Sequence, residues 1–246
     1  MRKYLVLLWL LLPLPIVVLH YGRGQQWLAR DIAHDFIKKA EAAEKSGDYR
    51  LADELYGSAD KTIGTQDRDL KLRLDLARVR TRFGMGEAVA AIDGVDKLLD
   101  DAAMVDMPAE FQQEARQLSG RIHYYAGWVM RLEGAKRELW MEEAELSRQN
   151  FRLLSEQASP QTPPDESRKQ HEDLESAVQL QRLSLTELMA RPLPKEGRSM
   201  SGQGLSEQMA KRRGQRGKKP GKGPGEGDGP PDKGAGMQRF EPGSGS

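Results

Sequence analysis

Apolar residues recur at helical spacing along most of this chain. Between Ala33 and Gly64 two such patterns meet at a short polar break, Lys45-Ser46-Gly47-Asp48. Before it, Phe36, Ala40 and Ala43 share one helix face, and after it Ala52, Leu55, Tyr56 and Ala59 do the same. Gly47 suits the end of the first helix and Asp48 the N-cap of the second. In the next segment Leu70, Leu72, Leu74 and Leu76 alternate as in a strand, whereas Leu72, Leu76, Val79 and Phe83 form a helical stripe. The residues between them are Lys, Arg, Asp and Ala rather than β-branched, and both flanks are helical, so the segment predicts a helix. Gly84-Met85-Gly86 turns the chain, and Glu87 to Leu99 predicts a helix with Ala88, Ala91, Ile92 and Val95 inward. From Pro108, the positions Phe111, Ala115, Leu118, Ile122, Tyr125, Val129 and Leu132 predict a long helix. After Glu133-Gly134, segments Ala135–Gln157 and Glu166–Met189 predict two helices that form a hairpin covering the end of the array, with a Pro-bearing linker between them.

Both ends depart from this pattern. Arg2 and Lys3 precede an apolar run from Tyr4 to Leu19. As a helix the run would reach roughly 24 Å against a hydrocarbon core of ~30 Å, and His20 and Tyr21 bring it near spanning length. Gly22-Arg23-Gly24 is a poor cleavage site because a large cation separates its small residues. Residues 1–24 are therefore read as an uncleaved anchor that meets the membrane through residues 4–21. Arg2 and Lys3 favour a cytoplasmic N-terminus and an exported body, while Arg23, Arg30, Lys38 and Lys39 argue the reverse; the cations directly against the run decide for export. At the other end, residues 191–246 hold 14 of the 25 Gly and seven of the 13 Pro, and 12 Lys/Arg against six Asp/Glu. Such a segment cannot bury enough apolar surface to offset the entropy of ordering, so it is predicted to be disordered and basic. One island in it, Leu205 to Arg213, could form a basic helix on contact with a partner.

The stretch from Ala33 to Gly64 resembles a tetratricopeptide repeat (TPR), a helix pair that stacks on its neighbours and presents a groove to a protein segment. The matching positions are Phe36, Ala40, Gly47, Tyr49, Ala52, Tyr56 and Ala59; Gly64 stands where the family usually has Pro. Ala88 repeats the place of Ala52 in a degenerate second unit. The resemblance implies an all-α array of helix hairpins over residues 25–134, with residues 135–190 as a C-terminal helical hairpin. It also implies that the first helix of each pair lines the groove. Arg73 and Arg80 are then candidate groove cations, although the Lys and Asn clamp known in the family is missing, and with Lys71, Arg78 and Arg82 they read equally as a solvated basic face.

Composition narrows the chemistry. The chain has no Cys, which excludes disulfides, thiolate metal sites and cysteine nucleophiles. His20, His34, His123 and His171 lie far apart and form no metal-spaced pair, so surface or interface roles account for them. Glu142-Glu143 and Glu172-Asp173 sit on helices rich in Arg and Lys and read as solvated faces. Gly84-Met85-Gly86 opens no βαβ unit, so no dinucleotide loop is indicated. No cofactor is implied.

Lys211, Arg212, Arg213, Arg216, Lys218, Lys219 and Lys222 form a basic run without interleaved aromatics. It could hold an anionic polymer, such as lipid head groups or cell wall, and nucleic acid only if the tail were not exported. The sequence thus predicts a non-catalytic, membrane-anchored scaffold that binds a protein partner through TPR-like helices. The order of anchor, repeat and low-complexity tail resembles the membrane-attached TPR proteins that accompany von Willebrand-type and MoxR-type proteins in bacteria. The alternative is a tether whose active part is the basic tail.

Overall fold

Capping residues set where the helices of this chain stop and start. The structure is a computed structural model and describes residues 23–64, 67–158, 163–192, 199–200, 202 and 204–216. Within them the chain is all α. Its helices are α1 (Arg23–Lys45), α2 (Tyr49–Ile63), α3 (Arg68–Met85), α4 (Ala88–Leu99), α5 (Ala109–Leu132), α6 (Arg137–Gln157), α7 (Pro164–Arg182), α8 (Leu185–Met189) and α9 (Leu205–Arg216). A 3₁₀ turn over Ala102–Asp106 joins α4 to α5. Helices α1, α3 and α5 end alike. Gly47, Gly86 and Gly134 follow them with φ of 83°, 82° and 73°, and each gives its N–H to a carbonyl of the last turn. A residue with a Cβ is strained in that conformation, so glycine makes the sharp reversal into the next helix. Just after the Gly47 turn Asp48 accepts the N–H of Leu51 and caps α2, and in the connection after α2 Asp67 accepts the N–H of Leu70 and caps α3.

From α1 to α7 each helix packs on the one before it, giving a sequential array, while α8 packs on α5 and α9 on α4, α5 and α6. Helix α3 is buried on two sides. Leu74 and Ala77 pack with Ala40, Ala52, Tyr56 and Ala59 of α1 and α2. Leu72, Leu76, Val79 and Phe83 pack with Ile92 and Val95 of α4 and Phe111, Leu118 and Ile122 of α5. This explains the alternating leucines: they serve two cores of one helix instead of one face of a strand. Each such side chain contributes roughly 1.5–3 kcal/mol by leaving water.

Small residues set how closely neighbours approach. A Cβ on Gly120 of α5 would lie 2.7 Å from the Phe151 ring of α6, and one on Gly127 would lie 3.2 Å from the Trp140 carbonyl. Helices α5 and α6 are thereby a close pair, and packing runs without a break across the division drawn at 134/135.

Two further expectations change. The helix predicted over 166–189 is divided. Arg131 of α5 donates to the Leu180 and Leu183 carbonyls at the end of α7, and Ser184 with Glu187 forms a capping box that starts α8. The second change concerns the tail expected to be disordered from 191. Met200, Leu205 and Met209 are buried in the main core, and α9 lies on α4, α5 and α6. Leu205 and Met209, four apart on one face of α9, with Met200 before the helix, outweigh the polar composition around them. Lys218, Lys219, Lys222 and the rest of 217–246 lie outside the described residues, as does the apolar run at 4–21. Among the described residues no helix is long and apolar enough to cross a membrane.

Two substitutions test this packing. Gly120→Ala should destabilise the fold by roughly 1–3 kcal/mol, because the Phe151 ring has to move. Gly57→Ala meets only the Arg78 guanidinium at 3.8 Å and should raise stability by about 0.4–1 kcal/mol through helix propensity. Urea unfolding of both variants checks the opposite signs. Truncation after Ala190 removes Met200, Leu205 and Met209 from the core and should lower the melting temperature; an unchanged melt would mean that α9 adds nothing to the body.

Candidate functional site

The first helix of each successive pair, α1, α3 and α5, lines a common groove. Ile37, Tyr56, Leu70, Leu74, Ala77 and Phe111 supply its apolar surface in a recess of about 600 Å³. A second recess continues along the same helices, past Glu41, Glu44, Tyr49, Arg80, Leu118 and Arg121. The helix repeat produces this arrangement directly, because residues three and four apart on α1 (Ile37, Lys38, Glu41, Glu44) present one row to the groove.

The repeat-packing residues inferred from sequence are brought together. Ala40, Ala52 and Ala59 are fully buried between α1, α2 and α3, and Phe36 packs on them from a half-buried position. Gly47 makes the turn. The Tyr49 ring lies against Gly84, where an added Cβ would stand 2.9 Å from it, so this residue ties the second helix to the end of the third. Tyr56 is buried and its hydroxyl donates to Glu44 at 3.1 Å. Burial and the neighbouring Glu44 carboxylate push the Tyr56 hydroxyl up to about 12, so it stays a donor.

The two groove cations differ. Arg80 on α3 grips Glu44 of α1 through Nε and Nη2 and reaches Glu114 of α5 with Nη1 at 3.0 Å. The Glu44 hydrogen bonds, against some desolvation, raise its pKa further. Arg80 is therefore a cross-strut of the groove with its charge already matched. Arg73 stands over the Phe111 ring, 5.3 Å from its centre, and has no carboxylate partner among the described residues. Lys38, on the facing wall of the same recess, has no ion pair either. This recess thus joins an apolar floor to walls of mixed charge, where Lys38 and Arg73 stand with Glu41 and Glu114.

Sequence reasoning missed a second charged centre. His123 on α5 is buried between two carboxylates, with Nδ1 2.6 Å from Glu143 of α6 and Nε2 3.3 Å from Asp96 of α4. Glu143 is buried as well, so the Glu142-Glu143 pair is not one solvated face: Glu142 is exposed and Glu143 turns inward. Burial opposes charge on His123, but its hydrogen bonds to Asp96 and Glu143 win and lift its pKa to about 9. Asp96 is held down at about 2, since its bonds to His123 and Arg212 outweigh the desolvation that would raise it. With both ring nitrogens engaged, His123 acts as a buried cation that joins three helices. No residue spacing in the sequence announces it, because the three members come from three helices.

The basic run begins on α9. Arg212 donates to Asp93 at 2.6 Å and to Asp96 at 2.7 Å, and Arg213 lies 3.3 Å from Glu142. Lys211 pairs with Glu207 one turn back, and Arg216 ends the helix. Among the described residues no group of three or more His, Asp or Glu is placed to hold a metal ion.

The His123 centre has a pH signature. A pKa of about 9 in the fold, against ~6.5 for an unfolded chain, makes its stabilisation full below pH ~6.5 and lost as pH rises through about 9. The melting temperature should fall across that interval. His123→Gln should melt lower at pH 6 and lack the fall, and a wild-type melt flat from pH 6 to 10 would contradict a charged His123. Comparison with protein-family models, curated proteins and solved structures finds no match to this chain.

Proposed function

We propose that this chain is a non-catalytic, membrane-anchored scaffold of the TPR-like kind, which holds an extended segment of a partner protein in the groove of α1, α3 and α5. The observation that carries this reading is the recess with an apolar floor at Leu70, Leu74 and Phe111 and, on its walls beside Glu41, the cations Lys38 and Arg73, which form no ion pair among the described residues. An apolar trough with a few charges fits side chains of a bound segment and fixes their register. Arg80, already neutralised by Glu44 and Glu114, keeps the three helices at a fixed separation, so the groove is preorganised. The succession of glycine-ended helix pairs and the Ala40–Ala52 contact support the TPR-like assignment. The anchor rests on the sequence of Tyr4–Leu19 and the exported placement on Arg2 and Lys3.

Charge reversal on the walls tests the reading. Lys38 and Arg73 are exposed, so Lys38→Glu with Arg73→Glu should leave the melting temperature within error. The double variant should lose the protein partner that co-purifies with wild type from detergent-solubilised membranes, by tenfold or more if each contact contributes about 1 kcal/mol. Full retention of the partner by this variant, with loss on deleting 217–222, would replace the groove with the tail as the binding element.

A further inference from the structure

The slot that holds α9 meets it with four carboxylates, and with the Glu138 backbone carbonyl, which accepts from Arg213 at 3.4 Å. The Glu133 carboxylate accepts the N–H of Leu205 at 3.1 Å and of Ser206 at 2.7 Å, capping the helix from outside its own chain segment. Asp93 and Asp96 take Arg212, and Glu142 takes Arg213. Between these holds, Leu205 and Met209 enter the main core, Met209 alongside Leu139. A helix of 12 residues is marginal by itself in water, so α9 needs a template that offers an apolar surface and negative charge together. An anionic membrane interface offers the same two things.

We propose that α9 is a two-state helix, which leaves its acidic slot to lie on an anionic lipid surface through the same Leu205–Met209 face and the same arginines. The outer holds are weak. Asp93 is 55% exposed, Glu142 49% and Arg213 54%, so their ion pairs are screened and worth little. The firm hold is the pair of Arg212, only 12% exposed, with Asp96 at 23%. Undocking frees Arg212 and Arg213 beside Lys211 on the same helix, and these cations add to the attraction of an anionic surface. Lipid is favoured over nucleic acid because Leu205, Met209 and Met200 would be exposed on release. A bilayer interface takes up apolar side chains, and a phosphate polymer does not. The inference stands apart from the groove reading, since α9 lies on α4, α5 and α6.

The chain has no cysteine, so Ala210→Cys, at an exposed position of α9, carries a fluorophore uniquely. Full-length protein is reconstituted in phosphatidylcholine vesicles with and without phosphatidylglycerol, both containing a lipid-borne quencher. The N-terminal segment is then common to both, and only head-group charge differs. Quenching should appear with phosphatidylglycerol alone and vanish in high salt. It should rise several-fold in Asp93→Asn with Glu142→Gln, which loosens the slot at two exposed positions. Arg213→Gln should reduce it, which keeps the test valid should the double variant misfold. Equal quenching in both vesicle types, or none with phosphatidylglycerol in either the wild-type or the loosened protein, would overturn the proposal. So would a short DNA duplex raising the anisotropy of a label that anionic vesicles leave unquenched.

Discussion

Burial of α3 on both sides is the constraint on which the array depends. Its Leu74 and Ala77 close the core made with α1 and α2, and its Leu72, Leu76, Val79 and Phe83 open the core shared by α4 and α5. A helix buried on two faces can expose only narrow strips between them. On one strip lie Arg73 and Arg80, and both point into the groove. The position of the candidate binding cations is therefore a consequence of core packing. A cavity made at Leu74 or Leu76 would cost roughly 2–5 kcal/mol and would also tilt the wall that carries the arginines.

Charge is organised at two depths. In the groove, Arg80 with Glu44 and Glu114 is partly exposed and bridges α1, α3 and α5. On the other side of α5, His123 is desolvated and carries a proton between Asp96 and Glu143. Removing one partner of a buried ion pair leaves the other uncompensated, which is more costly than losing a surface pair. Asp96 belongs to both His123 and Arg212, so the body and the C-terminal helix share one carboxylate. That shared residue couples the docking of α9 to the charge state inside the body.

Local signals made the helices legible in the sequence, and contacts between distant segments did not. Gly47 and Asp48 announce the first turn because backbone conformation and capping act over a few residues. Ala40, Ala52, Tyr56 and Ala59 are readable because period and size alone mark a close helix pair. A groove position for Arg73 and Arg80 comes from the TPR resemblance and not from the periodicity, and the neutralisation of Arg80 by Glu44 and Glu114 joins residues more than 30 positions apart. The His123 centre joins α4, α5 and α6 and leaves no periodic trace. Composition misled at α9: Gly, Pro and cations dominate the region, yet Met200, Leu205 and Met209 suffice to seat it where an acidic slot awaits. The split between α7 and α8 was hidden because Arg131, which satisfies the end of α7, lies on another helix.

The central claim is that partner binding takes place in the groove of α1, α3 and α5. A photo-crosslinking residue in place of Glu41, exposed on α1 between the two recesses, tests it most directly against the same residue in place of Arg152, exposed on α6 outside the groove. After illumination of intact membranes, the account predicts that the co-purifying protein is joined at position 41 and not at position 152. Crosslinking at 152 with none at 41 would contradict it.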